Sequence, residues 1–392
     1  MRRATLLSLT ALAVSIAGCG DDSKQATRVK GDTLTVYASL PAHGPEGTKG
    51  RSAEAGMRRA LADAKGRVAG RNVRLVALPS TRPGDQTWDP GTVEANAERA
   101  VDDPTAIAYI GELDQGGSAV SLPVTNDNQL LQLSPADGLT SLTRRPPGRP
   151  RAGPERYYPD GDRSFVRLVP PDIGAAREVV RFLGERGSRR LVVLHGDRIA
   201  DRELEGMILA LVGTGEPREV TRIDVREDDP EHVADVLEET VAAQPDAVVY
   251  AGAASPEANA VLAALGARLS DVPLWGGPQL VPASGFVRTP NEACALTGVP
   301  TLSAVPARGR RLLRELRREL GRKVSVDALL GYDAMRLALD AIEDGGADRR
   351  QVLKAARRSG ERVGVSGTYA IGSRGDAEGR SVVCAELDGA PR

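Results

Sequence analysis

The sequence predicts an α/β protein that consists of two doubly wound lobes. Short runs of β-branched and apolar residues alternate with amphipathic helical patterns from Thr33 to about Ala356, which is typical of parallel sheets covered by helices on both faces. The alternation stops once, between residues 139 and 163, where Pro, Arg and Gly accumulate. The chain has 392 residues, more than one typical domain contains, so we expect one lobe on each side of this interruption.

The N-terminus has the features of an export signal. Arg2 and Arg3 precede an apolar run from Ala4 to Ala17, which is shorter than the roughly 20 apolar residues of a membrane span. The run leads into Ile-Ala-Gly before Cys19, the order found at lipoprotein processing sites. We therefore interpret residues 1–18 as a lipoprotein signal peptide and Cys19 as the lipidated residue, with an ordinary cleaved signal peptide as the alternative.

This interpretation places the mature chain outside the cell. Residues 19–31 are polar and are predicted to form a flexible tether to the outer face of the cytoplasmic membrane. The two other cysteines, Cys294 and Cys384, would then lie in an oxidising compartment. Because sequence does not give their separation, they form either a disulfide or two buried thiols.

The first lobe is predicted from alternating short elements. Runs rich in Val, Leu and Ile predict its strands, and apolar residues at helical spacing predict its helices. The strands are residues 33–37, 73–78, 106–110 and 130–133, and the helices are residues 53–64, 94–101 and 118–126.

The interruption at 139–163 is interpreted as a surface insertion. Its run Arg144–Pro150 contains three prolines, which continue neither a helix nor a central strand. The arginines raise the alternative of a polyanion site, but no aromatic residues alternate with them, so a solvated loop is favoured. We expect Tyr157 and Tyr158 to pack this loop against the lobe.

The second lobe repeats the alternation and is followed by two long helices. Its strands are residues 165–169, 191–194, 220–225, 247–250, 273–275 and 295–299, with helices at 175–186, 204–212, 233–241 and 256–269. Amphipathic helices then follow at 312–320 and 326–342. A β-hairpin between residues 367–370 and 381–385 is predicted to end the fold.

Composition and motifs argue against several classes of function. The formal net charge is -1, so nucleic acid is not an expected partner. His43, His195 and His232 lie in separate segments. The sequence contains no Cys-x-x-Cys, no His-Glu-x-x-His and no Gly-x-Ser-x-Gly, so we expect no metal, no cofactor and no enzymatic activity.

Several phrases along the chain resemble a known family, and they occur in the family's order. They are Ser39–Pro45, Ala108–Glu112 with Gly116–Ala119, Leu133–Ala136, Trp275–Pro278, Gly331–Ala334 and Gly364–Tyr369. The chain resembles periplasmic binding proteins of type I, in particular the branched-chain amino-acid (Leu/Ile/Val) substrate-binding proteins of ABC transporters. The Pro-rich segment before Tyr157-Tyr158-Pro159 resembles that of an actinobacterial lipoprotein subgroup.

The resemblance implies two Rossmann-like lobes that close over a ligand like a Venus flytrap. Three crossovers are expected, near Leu168, Thr297 and Ser366. The first lobe would then comprise residues 32–167 and 298–366, and the second lobe residues 168–297 with a C-terminal hairpin, 367–392. Ligands of open α/β sheets bind beyond the carboxyl ends of the strands, so one cleft between the lobes is the expected site.

The resemblance also implies a site for a ligand carboxylate at Gln115, Gly116, Gly117 and Ser118. Backbone N–H groups at a helix N-terminus favour an anion there, although Ser118 alone would also fit an ordinary capped turn. In the next loop, Ala136 would offer its carbonyl to the ligand. There Asp137 either accepts an ammonium or forms a turn with Gly138.

Other cleft positions depart from the family pattern. Lys49 stands where an aromatic residue is frequent, and either pairs with an extra anionic group of the ligand or is an exposed loop lysine. His195 and Asp197 are candidate ligand contacts in a loop where Ala200 replaces a tyrosine, although His195 also fits a structural role. Gln279 replaces an acidic residue that usually receives the ammonium, and an amide bonds an ammonium more weakly than a carboxylate does.

These departures predict a changed specificity. We expect a small polar solute, an amino acid or an amino-acid-like compound, that a monomeric protein delivers to ABC permease subunits. The alternative is an extracellular sensor or a degenerate paralogue that docks to a partner protein. The basic outward face of the helix Arg308–Arg322 is either a docking surface for that partner or a solvated helix face.

Overall fold

The computed structural model describes residues 27–44, 46–85, 87–213, 219–226, 229–280, 293–358 and 360–386. The predicted signal peptide, residues 1–18, and the lipidation site Cys19 lie outside the described residues. The described residues form the predicted α/β architecture with two lobes.

The first lobe begins with nine alternating elements. Its strands are β1 (Thr33–Leu40), β2 (Arg67–Val68), β3 (Arg71–Pro79), β4 (Ala106–Ile110), β5 (Leu131–Ser134) and β6 (Phe165–Arg167). Its helices are α1 (Gly47–Asp63), α2 (Pro90–Asp102) and α3 (Ser118–Asp127). The Asp89 side chain caps α2 by accepting from the Thr92 N–H, which explains why this helix begins before its predicted start at residue 94.

The second lobe repeats this organisation. Its strands are β7 (Arg190–His195), β8 (Glu219–Asp224), β9 (Ala247–Ala251), β10 (Leu274–Gly276) and β11 (Ala293–Thr297). Its helices are α4 (Ile173–Arg186), α5 (Ile199–Val212), α6 (His232–Ala242) and α7 (Pro256–Arg268).

The last part of the chain returns to the first lobe before it ends in the second. It contains α8 (Ala307–Leu320), α9 (Asp327–Gly345), α10 (Arg349–Ala356), β12 (Glu361–Gly364), β13 (Gly367–Ile371), β14 (Ala377–Glu378) and β15 (Val383–Glu386). Helix α9 packs closely on α1, because a Cβ at Gly331 would lie 2.2 Å from the Ala53 carbonyl oxygen. This approach buries Leu330, Ala334 and Met335 in the core of the first lobe.

Each lobe contains one six-stranded sheet. The first has the order β2-β3-β1-β4-β5-β6 and the second the order β15-β11-β10-β9-β7-β8. All pairs are parallel except β2 with β3 and β11 with β15. Strands β4 and β9 are buried along their whole length, as expected for parallel strands with helices on both faces.

The pairing of the last strands differs from the predicted hairpin. Strand β13 pairs with β12 and β14 in a separate small sheet, whereas β15 pairs with β11. Tyr369 and Ile371 of β13 are buried in the core of the first lobe. The third passage between lobes therefore lies between Glu378 and Val383, later than the expected position near Ser366. Strand β12 directly precedes β13 in the sequence, and β13 pairs with this neighbour rather than with the more distant β15.

Cys294 and Cys384 form a disulfide with a Cα–Cα distance of 5.4 Å. The bond links β11 to β15. In the sequence, these two strands flank the segment that returns to the first lobe. Of the two alternatives left by the sequence, the structure therefore has the disulfide.

Two predicted boundaries also change. The tether was expected to reach residue 31, but Val29 is buried in the first lobe and its N–H donates to the Ala347 carbonyl, so the described part of this stretch packs beside α9 and α10. The insertion 139–163 was expected at the surface, but its residues 139–143 are buried. Its Ser141 N–H donates to Glu203 of α5, which lies in the other lobe.

Buried ionic contacts connect the first and third passages between the lobes. Arg167 is fully buried and bonds Asp376 at 2.6 Å. Burial would raise the pKa of Asp376, but Arg167 and Arg144 outweigh it and hold this pKa at about 2. Arg380 donates to the Leu168 carbonyl at 2.5 Å, so both passages are held side by side.

Candidate functional site

A cavity of about 850 Å³, including space open to solvent, lies between the two lobes. Its position agrees with the expected cleft beyond the carboxyl ends of the parallel strands. The first lobe contributes Glu46, Lys49, Trp88, Asp114, Gln115 and Asp327, and the second lobe contributes Arg198, Ala253, Ala254, Pro278 and Gln279.

The N-terminus of α3 is occupied by a side chain of the protein. The Asp137 carboxylate accepts hydrogen bonds from the N–H groups of Gly116, Ser118 and Leu139, each at 3.0 Å. Asp137 and Ser118 are fully buried and do not line the cavity. The expectation that Gly116 and Ser118 hold a ligand carboxylate is therefore corrected, because the internal carboxylate of Asp137 already neutralises these donors. Asp137 is likewise not free to accept an ammonium.

The glycines at this turn serve packing within the protein. Gly116 has φ +83°, and a Cβ there would lie 2.8 Å from Ile199 of the second lobe. A Cβ at Gly117 would lie 2.8 Å from the Glu112 side chain. The close approach that was expected of a ligand is thus made by protein groups.

Two residues of the expected carboxylate and carbonyl sites do reach the cavity. Gln115 donates to the Ala136 carbonyl at 3.0 Å and accepts from the Gly138 N–H at 2.8 Å. Both Gln115 and Ala136 line the cavity. Gln115 therefore fixes the loop after β5 against the loop after β4, and this contact shapes the wall of the cavity.

Lys49 lines the cavity and forms an ion pair with Glu46. Its side chain is only 18% exposed, so it is not the solvated lysine of the alternative interpretation. Burial alone would lower the pKa of Lys49, but the carboxylates of Glu46 and Asp327 outweigh burial and raise it. The ammonium of Lys49 is therefore charged and paired with carboxylates of the protein.

Asp114 is a carboxylate of the cavity wall that lacks a full set of partners. Its Oδ2 atom is buried and has no hydrogen-bond partner among the described residues. Burial, reinforced by the carboxylate of Glu46 and only partly opposed by Lys49, raises the pKa of Asp114 well above its ordinary value. Burial therefore disfavours the ionised form of Asp114, and a hydrogen-bond donor from a bound molecule would stabilise that form.

Two further residues complete the first-lobe wall. Asp327 lies in the first turn of α9, is 4% exposed and accepts from the Ser325 hydroxyl at 2.6 Å. Trp88 is half-buried and directly precedes Asp89, the N-cap residue of α2. It gives the cavity wall an aromatic surface, which Lys49 does not provide.

The second lobe meets the first across the cavity. Arg198 donates to the Thr87 hydroxyl at 2.5 Å, and Gln279 donates to Asp201 at 2.5 Å. Gln279, a predicted ligand contact, lines the cavity, but its amide nitrogen is already bonded.

His195 and Asp197, the remaining predicted contacts, do not line the cavity. His195 is 5% exposed, and its Nδ1 lies 3.1 Å from the Gly196 carbonyl oxygen. Its Nε2 lies 3.4 Å from the Glu205 carboxylate on α5. These contacts give His195 a structural role, whereas Asp197 is exposed.

Sequence reasoning missed five charged or aromatic groups of the cavity wall: Glu46, Trp88, Asp114, Arg198 and Asp327. Asp114 directly precedes the predicted contact Gln115, and Arg198 directly follows Asp197. The loops were therefore identified, but the direction of each side chain depends on contacts with distant segments.

The described residues contain no group of His, Cys, Asp and Glu side chains arranged to hold a metal ion. None of the helices in the described part of the chain is long and apolar enough to cross a membrane.

Comparisons with known proteins agree with this geometry. The family model described as periplasmic binding protein matches residues 34–387. Among solved structures, the leucine-binding protein LivK of Thermotoga maritima is similar, with 22% identity and a TM-score of 0.73 over 91% of this chain and 96% of that chain. No curated protein matches the sequence.

Two further structures share the fold. One is the branched-chain amino-acid binding protein LivJ of Streptococcus pneumoniae in complex with isoleucine, with 16% identity and a TM-score of 0.71 over 90% of this chain and 99% of that chain. The other is a solute-binding protein from R. palustris in complex with benzoate, with 17% identity and a TM-score of 0.68 over 91% of this chain and 99% of that chain.

Proposed function

Because this chain belongs to the periplasmic binding protein family, we propose that it captures a small polar solute outside the cytoplasm and delivers it to the permease subunits of an ABC importer. The observation that carries the proposal is the cavity lined by both lobes at the ends of their parallel strands. The solute is an amino acid or an amino-acid-like compound, and the chain itself is not an enzyme.

Lobe closure is the proposed mechanism of capture. Residues of both lobes line the cavity, so a ligand makes its full set of contacts only when the lobes are together. Binding then shifts the population towards the closed form, which the permease recognises. The contact between Arg198 and Thr87 joins the lobes beside the cavity and is expected to break when they open.

Anchoring outside the membrane is the second part of the proposal. Cys19 is proposed to be the lipidated first residue of the mature, monomeric chain. The disulfide between Cys294 and Cys384 supports export, because such bonds persist in oxidising compartments.

A sensor that docks to a partner protein is the second candidate. The observation in its favour is the exposed basic face of α8, which presents Arg308, Arg311, Arg314 and Arg318. Neighbouring genes for two permease subunits and two ATPases would favour the importer, and genes for a kinase or receptor would favour the sensor.

A thermal-shift screen of the purified mature protein tests the capture of a solute. Amino acids, amines, amides and aromatic acids are added singly, and the melting temperature is measured. A true ligand at 100 times its Kd is expected to stabilise the protein by about 2.7 kcal/mol. No stabilisation by any solute would contradict capture and favour the sensor.

A further inference from the structure

The donors that would receive a ligand carboxylate are already committed within the protein. The amides at the start of α3 donate to Asp137, and the Gly138 N–H donates to Gln115. The cations of the cavity wall are engaged as well, since Lys49 pairs with Glu46 and Arg198 donates to Thr87. A ligand carboxylate would therefore meet carboxylates without gaining a free cation.

Acceptors for a cation, by contrast, are not all committed, because one oxygen of Asp114 lacks a donor within the described part of the chain. Glu46, Asp114 and Asp327 give the wall three carboxylates against the two cations Lys49 and Arg198. The buried Oδ2 of Asp114 has no donor among the described residues. A charge-assisted hydrogen bond from an ammonium to a carboxylate is roughly twice as strong as a neutral one.

The same wall contains an aromatic surface. Trp88 lines the cavity together with Asp114, and an indole ring attracts a cation over its face as well as apolar groups. A small molecule with an ammonium at one end and an apolar body at the other fits this combination of groups.

We propose that the cleft selects a small organic amine that lacks an α-carboxylate, with Asp114 as the residue that accepts the ammonium. The proposal rests on the proposed function, because it assigns the substrate class of the same cleft. It narrows the amino-acid-like class to compounds that contain the amine but no α-carboxylate.

Isothermal titration calorimetry of the mature protein with matched probes tests this assignment. Leucine is compared with 3-methylbutan-1-amine, which lacks only its carboxylate, and with 4-methylpentanoate, which lacks only its amine. Benzylamine and benzoate form a second pair with an aromatic body. Each amine is expected to bind at least about tenfold more tightly than its acid counterpart.

Asp114→Asn provides the matched test of the residue. Because Oδ2 has no partner to lose, this variant is expected to fold, and its amine affinity is expected to fall about tenfold or more. Asp197→Asn changes an exposed carboxylate that does not line the cavity, and its affinity is expected to equal that of the wild type.

Three results would overturn the inference: no binding of either amine, acids or leucine that bind as tightly as the amines, or an Asp114→Asn variant with unchanged amine affinity. Binding of leucine or the acids would leave the proposed function in place. Failure of every solute in the wider thermal-shift screen would remove the proposed function as well.

Discussion

Asp137 and Asp114 are two aspartates on neighbouring loops of the first lobe, and the protein uses them in opposite ways. Burial raises the pKa of both. Asp137 accepts three backbone hydrogen bonds, whereas a buried oxygen of Asp114 accepts none among the described residues. Hydrogen-bond saturation, more than burial, therefore distinguishes the structural carboxylate of Asp137 from Asp114, the acceptor that we propose for the ligand.

The largest effect that this comparison predicts is a loss of protein stability on substitution of Asp137. Asp137→Ala would leave three buried N–H groups without an acceptor, and we expect it to lower the free energy of unfolding by about 3 to 5 kcal/mol. Asp114→Ala removes a carboxyl group whose Oδ2 has no hydrogen-bond partner among the described residues, and we expect a change within about 1 kcal/mol. Urea denaturation of both variants measures the two values, and equal losses would refute the distinction.

Glu112 extends the comparison, because its raised pKa makes the stability of the protein depend on pH. It is buried beside the same turn, accepts from the Tyr109 hydroxyl at 2.7 Å, and burial raises its pKa to about 7. Because its pKa in the folded state exceeds the unfolded value, its stabilising contribution is complete below the unfolded pKa and is lost as the pH rises through about 7. Glu112→Gln is therefore expected to be more stable than the wild type at pH ~8, by roughly 2 to 3 kcal/mol.

This advantage of Glu112→Gln should shrink towards zero at or below the unfolded pKa of a glutamate, about 4.3, where both states of the wild type bind the proton. Thermal or urea unfolding across this pH range measures the difference. A constant difference at all pH values would contradict the assignment of a raised pKa.

Lys49 gives the smallest predicted effect. Lys49→Met keeps the length of the side chain but removes the cation that pairs with Glu46, so the wall becomes more negative. We expect amine affinity to rise about threefold. Lys323→Met is the control, because Lys323 is exposed and does not line the cavity. Calorimetry with benzylamine compares the two variants, and weaker binding to Lys49→Met would contradict the expected attraction of the amine to Glu46.

Local patterns were sufficient to predict the α/β class and most of the strands and helices, because strand and helix periodicity depends on nearby residues. They failed where a distant partner decides the outcome. The Asp137 carboxylate, in the loop after β5, accepts a hydrogen bond from the Ser118 N–H at the N-terminus of α3. The sequence did not indicate this contact. Likewise, Val383–Glu386 pairs with β11 rather than with β13, a choice between two partners that both have strand patterns.

The candidate site was predicted at the level of loops rather than side chains. The loop after β4, which was predicted to contribute to the site, provides Gln115 to the cavity wall. The neighbouring Asp114 was overlooked because adjacent loop residues point in different directions. Its surroundings include the charges of Glu46 and Lys49 at the start of α1, which are distant from it in the sequence.

A crystal structure of the mature protein with 3-methylbutan-1-amine, alongside one grown with leucine, tests the central claim most directly. The account predicts the ammonium nitrogen within hydrogen-bond distance, about 2.7 to 3.2 Å, of the Asp114 carboxylate, while Asp137 keeps its backbone hydrogen bonds. A ligand carboxylate bonded to the Gly116 and Ser118 amides, with Asp137 displaced from them, would contradict it.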